Sequence, residues 1–430
     1  MKVIYIISFI ILLFNSPVIS QISTTTVHHY DINIKFNVKT EIIKIDLICE
    51  IQKRDNLPEI KFLLNDESEI SSIKINKKNN WSDVQYKFNK DSLIINSGQD
   101  SQTGQILKLK FVYSFPAGKF NDTVFAIDRG ERWYPLIMDQ IASFKLTCEV
   151  PAFCKVLSAG NLISLKNIGD AASFTWESKF PVFKLPLIIF NPEKYKNTEN
   201  NYVNFYYSSL EPIKANKIME KVTSVISYFG KTVAPYPYKK LNLFEIKDFP
   251  GINTGSGLLM IGTQSLMMFG KGYEEGIILT VAQQWFGAGV FAKFGQRGFF
   301  FLSLSLPHYL RLMYIRHSEG EDKFENKLNG MINDYKKFAG RENDIPVVDV
   351  DFPNTKEKGK ILYDKGPWVL SKIDSLAGNS KWTKFIRNLY NSYHGKILTY
   401  NNFINILSNY IKNKNDINTV KKLLTEKGIK

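Results

Sequence analysis

Metal binding, acid–base catalysis and nucleophilic attack each need a few side chains at set spacings, and this chain is thinly supplied with them. It has five histidines: His28, His29, His308, His317 and His394. Adjacent residues on a strand point to opposite faces, so His28 and His29 cannot share a ligand. His308 and His317 are nine apart and His394 is remote in sequence. Such histidines read as surface or hydrogen-bonded residues, not ligands. Glu274 and Glu275 fall at a helix start, where carboxylates favour the dipole without any metal. Ser303 and Ser305 sit in Phe299-Phe-Phe-Leu-Ser-Leu-Ser-Leu, which has no glycine elbow to expose a nucleophile. Gly251, Gly255 and Gly257 form a glycine-rich loop, but it lacks the lysine and the serine or threonine of a phosphate-binding loop. The three cysteines, Cys49, Cys148 and Cys154, are not spaced like a metal knuckle.

The elements around these residues change character once along the chain. From Tyr30 to about Phe190 the apolar residues alternate, as in Tyr30, Ile32, Ile34, Phe36 and Val38, in Leu107, Leu109, Phe111 and Tyr113, and in Phe144, Leu146, Cys148 and Val150. That is strand periodicity, and clusters such as Asn65-Asp66-Glu67-Ser68 supply the turns. An antiparallel β-sandwich is expected. After Asn191-Pro192 the period lengthens. Ile218, Val222, Val225 and Phe229 mark an amphipathic helix ending near Gly230, and further helices are expected over about 273–286, 299–316, 366–376 and 382–393. One strand, 241–246, precedes the glycine loop. The fold class is α+β, with a signal segment over 1–20, a β domain over 21–195 and a mostly helical domain over 196–430.

Within the second part, Gln284-Trp285-Phe286-Gly287 is an unusual string. In M1-family zinc aminopeptidases the same string completes the metal helix, His-Glu-x-x-His-Gln-Trp-Phe-Gly, and this chain resembles that family. Other matches fall in the family's order: Arg132-Trp133-Tyr134-Pro135, Ser158-Ala-Gly160, Tyr236-Pro237-Tyr238, the approach to the GAMEN loop over 248–258, and Tyr363-Asp364-Lys365-Gly366. The resemblance implies a sandwich followed by a thermolysin-like domain, without the family's large helical domain. It also implies zinc held by two histidines and a glutamate. Those positions are Leu279, Gln283 and Leu302 here, so no cofactor is expected. The general base falls on Thr280, and the glutamate that grips the substrate's amino terminus falls on Thr254, between Gly251 and Gly257. Tyr363 keeps the position of the tyrosine that stabilises the oxyanion. Leu279 and Leu302 could pack together in the vacated space.

The first twenty residues, with Lys2, an apolar run over 3–14 and small residues before Gln21, read as a secretory signal, so the protein is expected outside the cytoplasm. In that compartment Cys148 and Cys154 could pair, or all three thiols could stay free. No later stretch is long enough to span a bilayer. A net charge of +15 would permit contact with anionic surfaces, but the lysines are scattered without a block of like charge, so nucleic acid is not expected. The function implied is that of a secreted, inactive M1-like protein binding a peptide or protein, with an active paralogue as one candidate partner. The alternative is an active M1-type metallo-aminopeptidase, or a hydrolase with an unconventional site.

Overall fold

The computed structural model describes residues 25–77, 80–98, 102–117, 120, 123–351, 358–411 and 413–429. The segment read as a secretory signal, 1–20, lies outside the described residues. The chain forms two compact units. One runs to Glu211 and takes in Tyr238–Thr263, and the other comprises Pro212–Pro237 and the residues from Gln264 onwards. Among the described residues no helix is long and apolar enough to cross a membrane.

The first unit is built on an eight-stranded sheet. Its strands lie in the order Asn161–Ile168, Ala171–Val182, Ala142–Pro151, Thr25–Asn37, Ile42–Lys53, Ile106–Pro116, Glu69–Lys77 and Asn80–Asp83. The alternating residues of the sequence become its buried face: Ile32, Ile34, Leu47, Cys49, Leu109, Phe111, Leu146 and Cys148 are all at most 1% exposed. Two three-stranded sheets cover that face, and their residues share one core with it. Phe62 of the sheet containing Glu59–Leu63 meets Phe111 edge-on, with ring centroids 5.7 Å apart. One pairing departs from the antiparallel expectation. Thr25–Asn37 and Ala142–Pro151 run parallel, because the strands between them in sequence fill the other flank of the sheet and bring the chain back in the same direction.

A five-stranded sheet completes this unit, in the order Lys196–Glu199, Val203–Tyr207, Leu241–Ile246, Leu258–Gly262 and Ile252–Gly255. Its three inner strands are parallel and nearly all apolar, as strands buried on both faces must be. Only Leu241–Ile246 was legible as a strand in sequence. The others are too short, and their burial too uniform, to show a period.

Two of the sequence motifs hold this unit together. Trp133 is fully buried; its indole donates to the Leu185 carbonyl at 3.0 Å and its carbonyl accepts from the Tyr113 hydroxyl at 2.8 Å. Gly160 has φ +77°, its amide donates to the Ser256 carbonyl at 2.9 Å, and a Cβ there would stand 2.3 Å from the Glu177 carbonyl oxygen. All three cysteines are buried and none is in a disulfide. Burial, and then the neighbouring Cys154, push the Cys148 thiol well up, so it is an inert core side chain.

The second unit is helical: α1 (Pro212–Thr232), α2 (Thr263–Met267, from its second residue), α3 (Glu274–Ala282), α4 (Leu306–Glu319), α5 (Glu321–Lys336), α6 (Gly366–Ala377), α7 (Asn379–Tyr393), α8 (Tyr400–Leu407) and α9 (Lys414–Thr425). The stripe Ile218, Val222, Val225 and Phe229 is the buried side of α1. Trp285 is fully buried, donates to the Ala234 carbonyl at 2.9 Å and packs on Phe229 and Tyr236. Trp382 on α7 plays the same part against Tyr309 and Phe385.

The glycine contacts separate two effects. Gly160→Ala combines a left-handed backbone with a backbone clash and should cost about 2–4 kcal/mol. Gly169→Ala, at φ +57° with nothing within 4 Å, should cost only about 1 kcal/mol. Urea midpoints of the two variants measure the difference, and equal costs would refute the close approach at Gly160.

Candidate functional site

Helix α3 carries Leu279 and Thr280, and Gln283 caps its end. Leu279 and Gln283 are half-buried and Thr280 is 7% exposed. The Thr280 hydroxyl donates back to the Gly276 and Ile277 carbonyls at 3.1 and 3.0 Å. A β-hydroxyl bonded into its own helix in this way is a structural group. The Gln283 amide closes the helix on the Leu279 carbonyl at 2.9 Å. Gln284, next along the string, is fully buried and accepts from the Tyr236 hydroxyl at 3.3 Å.

The start of α3 is fixed by charge. Glu274 accepts the Gly270 amide at 2.8 Å, and Glu275 accepts from Arg311 of α4 at 2.6 Å and from Lys327 of α5. Burial alone would raise the Glu275 carboxyl, but Arg311 and Lys327 together hold it below the usual carboxylate value. Glu275 is therefore more than the dipole partner read from sequence: it ties three helices together.

Leu302 and Tyr363 sit in two matching pieces of irregular helix. Residues Phe301–Ser305 form a π turn that runs into α4, and Lys360–Lys365 form another that runs into α6. The sequence reading had 299–316 as one regular helix. The difference traces to Pro307 and Pro367, each two residues beyond a π turn, because proline has no amide to give and pushes away the carbonyl behind it. In the second turn the Gly366 amide bonds back to Ile361, and the residue five beyond Leu362 is Pro367. The Leu362 carbonyl is instead satisfied by the Ser305 hydroxyl at 2.7 Å. Ser305, excluded as a nucleophile in sequence, is fully buried and pins one π turn to the other.

Leu302 is 4% exposed. Hydrocarbon thus fills the position on the π turn, while half-buried Leu279 and Gln283 leave the α3 side partly open. Burial pushes the Tyr363 hydroxyl up to about 12, so it keeps its proton and can still donate a hydrogen bond. Its ring lies 4.7 Å from that of His308. His308 is a residue whose setting the sequence did not reveal. It is 8% exposed and its Nδ1 has no hydrogen-bond partner. The available signal was its place in Leu304-Ser-Leu-Pro-His-Tyr-Leu310, where most neighbours are apolar.

The remaining positions belong to the first unit. Thr254 is half-buried on the edge strand Ile252–Gly255, opposite Leu259. Gly251 and Gly257 flank that strand at φ +78° and +79°. A Cβ on Gly257 would meet the Gly160 carbonyl at 3.1 Å, so the glycines serve backbone geometry. Beside Thr254, Asn253 donates to Asp128 and accepts from Lys184 at 2.8 Å.

The residues that the resemblance assigns to the metal positions do not fit zinc. Zinc takes imidazole, thiolate or carboxylate donors, and Leu279, Gln283 and Leu302 offer two hydrocarbons and a carboxamide. Among the described residues, no three His, Cys, Asp or Glu side chains gather as a metal-binding group elsewhere.

No protein-family model and no curated protein matches the chain. Solved structures do. An M1 zinc metallopeptidase from Deinococcus radiodurans superposes with a TM-score of 0.73 at 12% identity, over 95% of this chain and 95% of that one. A mutant of it bound to a Tyr-Ser-Ala substrate gives 0.74 at 13% identity, over 96% and 97%. Yeast LTA4 hydrolase gives 0.75 at 16% identity, covering 97% of this chain and 71% of the hydrolase. Likenesses at these identities establish the fold: a β-rich domain followed by a helical one, as in two-domain M1 peptidases.

His308 gives a test of the site's polarity. Burial, and then the charge of Arg311, hold its imidazole well below the usual 6.5. The folded state keeps it neutral while the unfolded chain takes up a proton. The stabilisation is therefore present above about pH 6.5 and is lost as the pH falls through that value, at up to about 1.4 kcal/mol per unit. Unfolding free energies at pH 7.5 and 5.0 should show a smaller acid loss in His308→Phe than in wild type.

Proposed function

We propose that the chain is an exported, catalytically inactive M1-like protein that uses the retained frame to bind a peptide or protein. The observation that carries this reading is the chemistry of α3 and the first π turn. Leucines stand at two of the assigned metal positions, and the threonine at the general-base position bonds its hydroxyl back into its own helix. With no ligand set, no water is activated at neutral pH, and Tyr363 has no oxyanion to stabilise.

A binding role is supported by the edge strand Ile252–Gly255. An extended peptide can add to such an edge through main-chain hydrogen bonds, with specificity from side-chain pockets. Thr254 in place of a glutamate removes the anchor for a free amino terminus, so internal segments of a chain would bind as well as amino-terminal ones. An active relative of the same fold is a candidate partner, and export rests on the amino-terminal segment. Nothing in the site speaks for nucleic acid.

Purified protein should contain no stoichiometric zinc and release nothing from aminoacyl reporter substrates; chelator-sensitive hydrolysis would refute the proposal. Restoring the donors with Leu279→His, Thr280→Glu, Gln283→His and Leu302→Glu should bury unpaired charge and lower stability without metal by several kcal/mol. Zinc at about 100 times its dissociation constant should return about 2.7 kcal/mol. A variant that folds but ignores zinc would mean that the backbone no longer holds the metal geometry.

A further inference from the structure

Arg129 in the first unit is a buried cation without a counter-ion. It is 4% exposed. Its guanidinium donates to three carbonyls, Phe183 at 2.7 Å, Ile137 at 2.7 Å and Met138 at 2.8 Å, and stacks on the Phe183 ring at 4.2 Å. No ion pair of the described residues includes it. Asp128, its neighbour in sequence, is already committed: it accepts the Gly130 amide at 2.6 Å and the Asn253 side chain. Glu131 accepts the Asp128 amide at 2.7 Å. Carbonyl dipoles solvate a guanidinium without pairing its charge, Asp128 and Glu131 are shared with the neighbouring Lys184, and an incompletely paired charge in the interior is costly.

The same side chain has one nitrogen to spare. Arg129 Nε is buried and has no hydrogen-bond partner. Arg129 lines a cavity of about 10 Å³ whose walls include Tyr30, Tyr134, Gln140, Ala142 and Phe144. That volume holds a single water molecule or a monatomic ion. The polar side chains of the lining are Arg129, Gln140, Tyr134 and Tyr30; the Gln140 amide also donates to Asp139 at 3.1 Å, and the Tyr134 hydroxyl lies against the Arg129 guanidinium. The Tyr30 hydroxyl is spent on the Pro135 carbonyl at 2.7 Å. The lining contains no carboxylate.

We propose that this cavity is a halide site, in which a chloride ion accepts the Arg129 Nε hydrogen and supplies the missing negative charge. The ion would be structural. It sits between the turn at Asp128–Arg129 and the strands Thr25–Asn37 and Ala142–Pro151, so its occupancy contributes to the stability of the β-rich unit. A neutral water could satisfy the hydrogen bond but would leave the charge uncompensated.

Crystals grown in bromide decide the ion's identity: an anomalous peak at hydrogen-bond distance from Arg129 Nε is expected. In solution, melting temperatures are compared in chloride and gluconate at equal ionic strength. Chloride should raise the melting temperature by about 3 °C for each tenfold increase above its dissociation constant, and gluconate should not. Replacing Arg129 would also remove three carbonyl bonds, so the control is Ala142→Val, which narrows the cavity and leaves those bonds in place. It should fold and lose the chloride dependence. Absence of the bromide peak, or equal slopes in the two salts, would show that the cavity holds only water and overturn the proposal.

Discussion

Much of the helical unit depends on the hydroxyl of Ser305. Pro367 deprives the Leu362 carbonyl of the amide that would have met it five residues on, and a buried carbonyl cannot be left bare without cost. Ser305 fills the need at 2.7 Å. It can do so only because Gly366 has no side chain, since a Cβ there would stand 2.1 Å from the Ser305 oxygen. Proline, serine and glycine thus form one device across two segments of chain. Tyr363 follows Leu362 directly, and Leu302 lies one π turn before Leu306. The device therefore sets where both of these site positions are held.

Around that device polar interactions hold the helical unit, while the assigned metal positions carry two leucines and a half-buried glutamine. Glu275 joins α3, α4 and α5 through Arg311 and Lys327. Tyr309 and Arg316 share Asp374. Lys365, in the Tyr-Asp-Lys-Gly motif, is 1% exposed and donates to the Glu426 carbonyl at 2.8 Å, so this lysine braces the π turn from the other side. Each of these is a charged or hydroxyl group tying separate segments. Loss of any one would leave a buried partner unsatisfied. The site positions carry no such penalty, because leucine at Leu279 or Leu302 needs no partner.

Several motifs that stand out in the sequence are joints in the structure. Arg132-Trp133-Tyr134-Pro135 earns its place through Trp133 and the Pro135 carbonyl, which bind Leu185, Tyr113 and Tyr30. Ser158-Ala-Gly160 lets two backbones approach. The glycine loop is the edge strand Ile252–Gly255 with a left-handed glycine on each side, and a side chain at Gly257 would be crowded. Ser305 is a strut. A string of residues with unusual composition marks a close approach of main chains as readily as it marks chemistry, and only the neighbours across space separate the two.

The sequence by itself determined the class of each half. Strand alternation and helical spacing are local, and they persist whatever the partner, so Ile32 and Ile34 or Val222 and Phe229 announce which face will be buried. It also determined that Leu279, Thr280, Gln283 and Leu302 carry no imidazole, thiolate or carboxylate, because donor chemistry is a property of residue type. Tertiary structure alone decided the rest. The parallel pairing of Thr25–Asn37 with Ala142–Pro151 joins residues more than a hundred positions apart, which no local period encodes. The π turns depend on where Ser305 can reach. The unpartnered nitrogens of His308 and Arg129 arise from what surrounds them. Burial and pairing are properties of neighbours in space, and a linear chain does not list those neighbours.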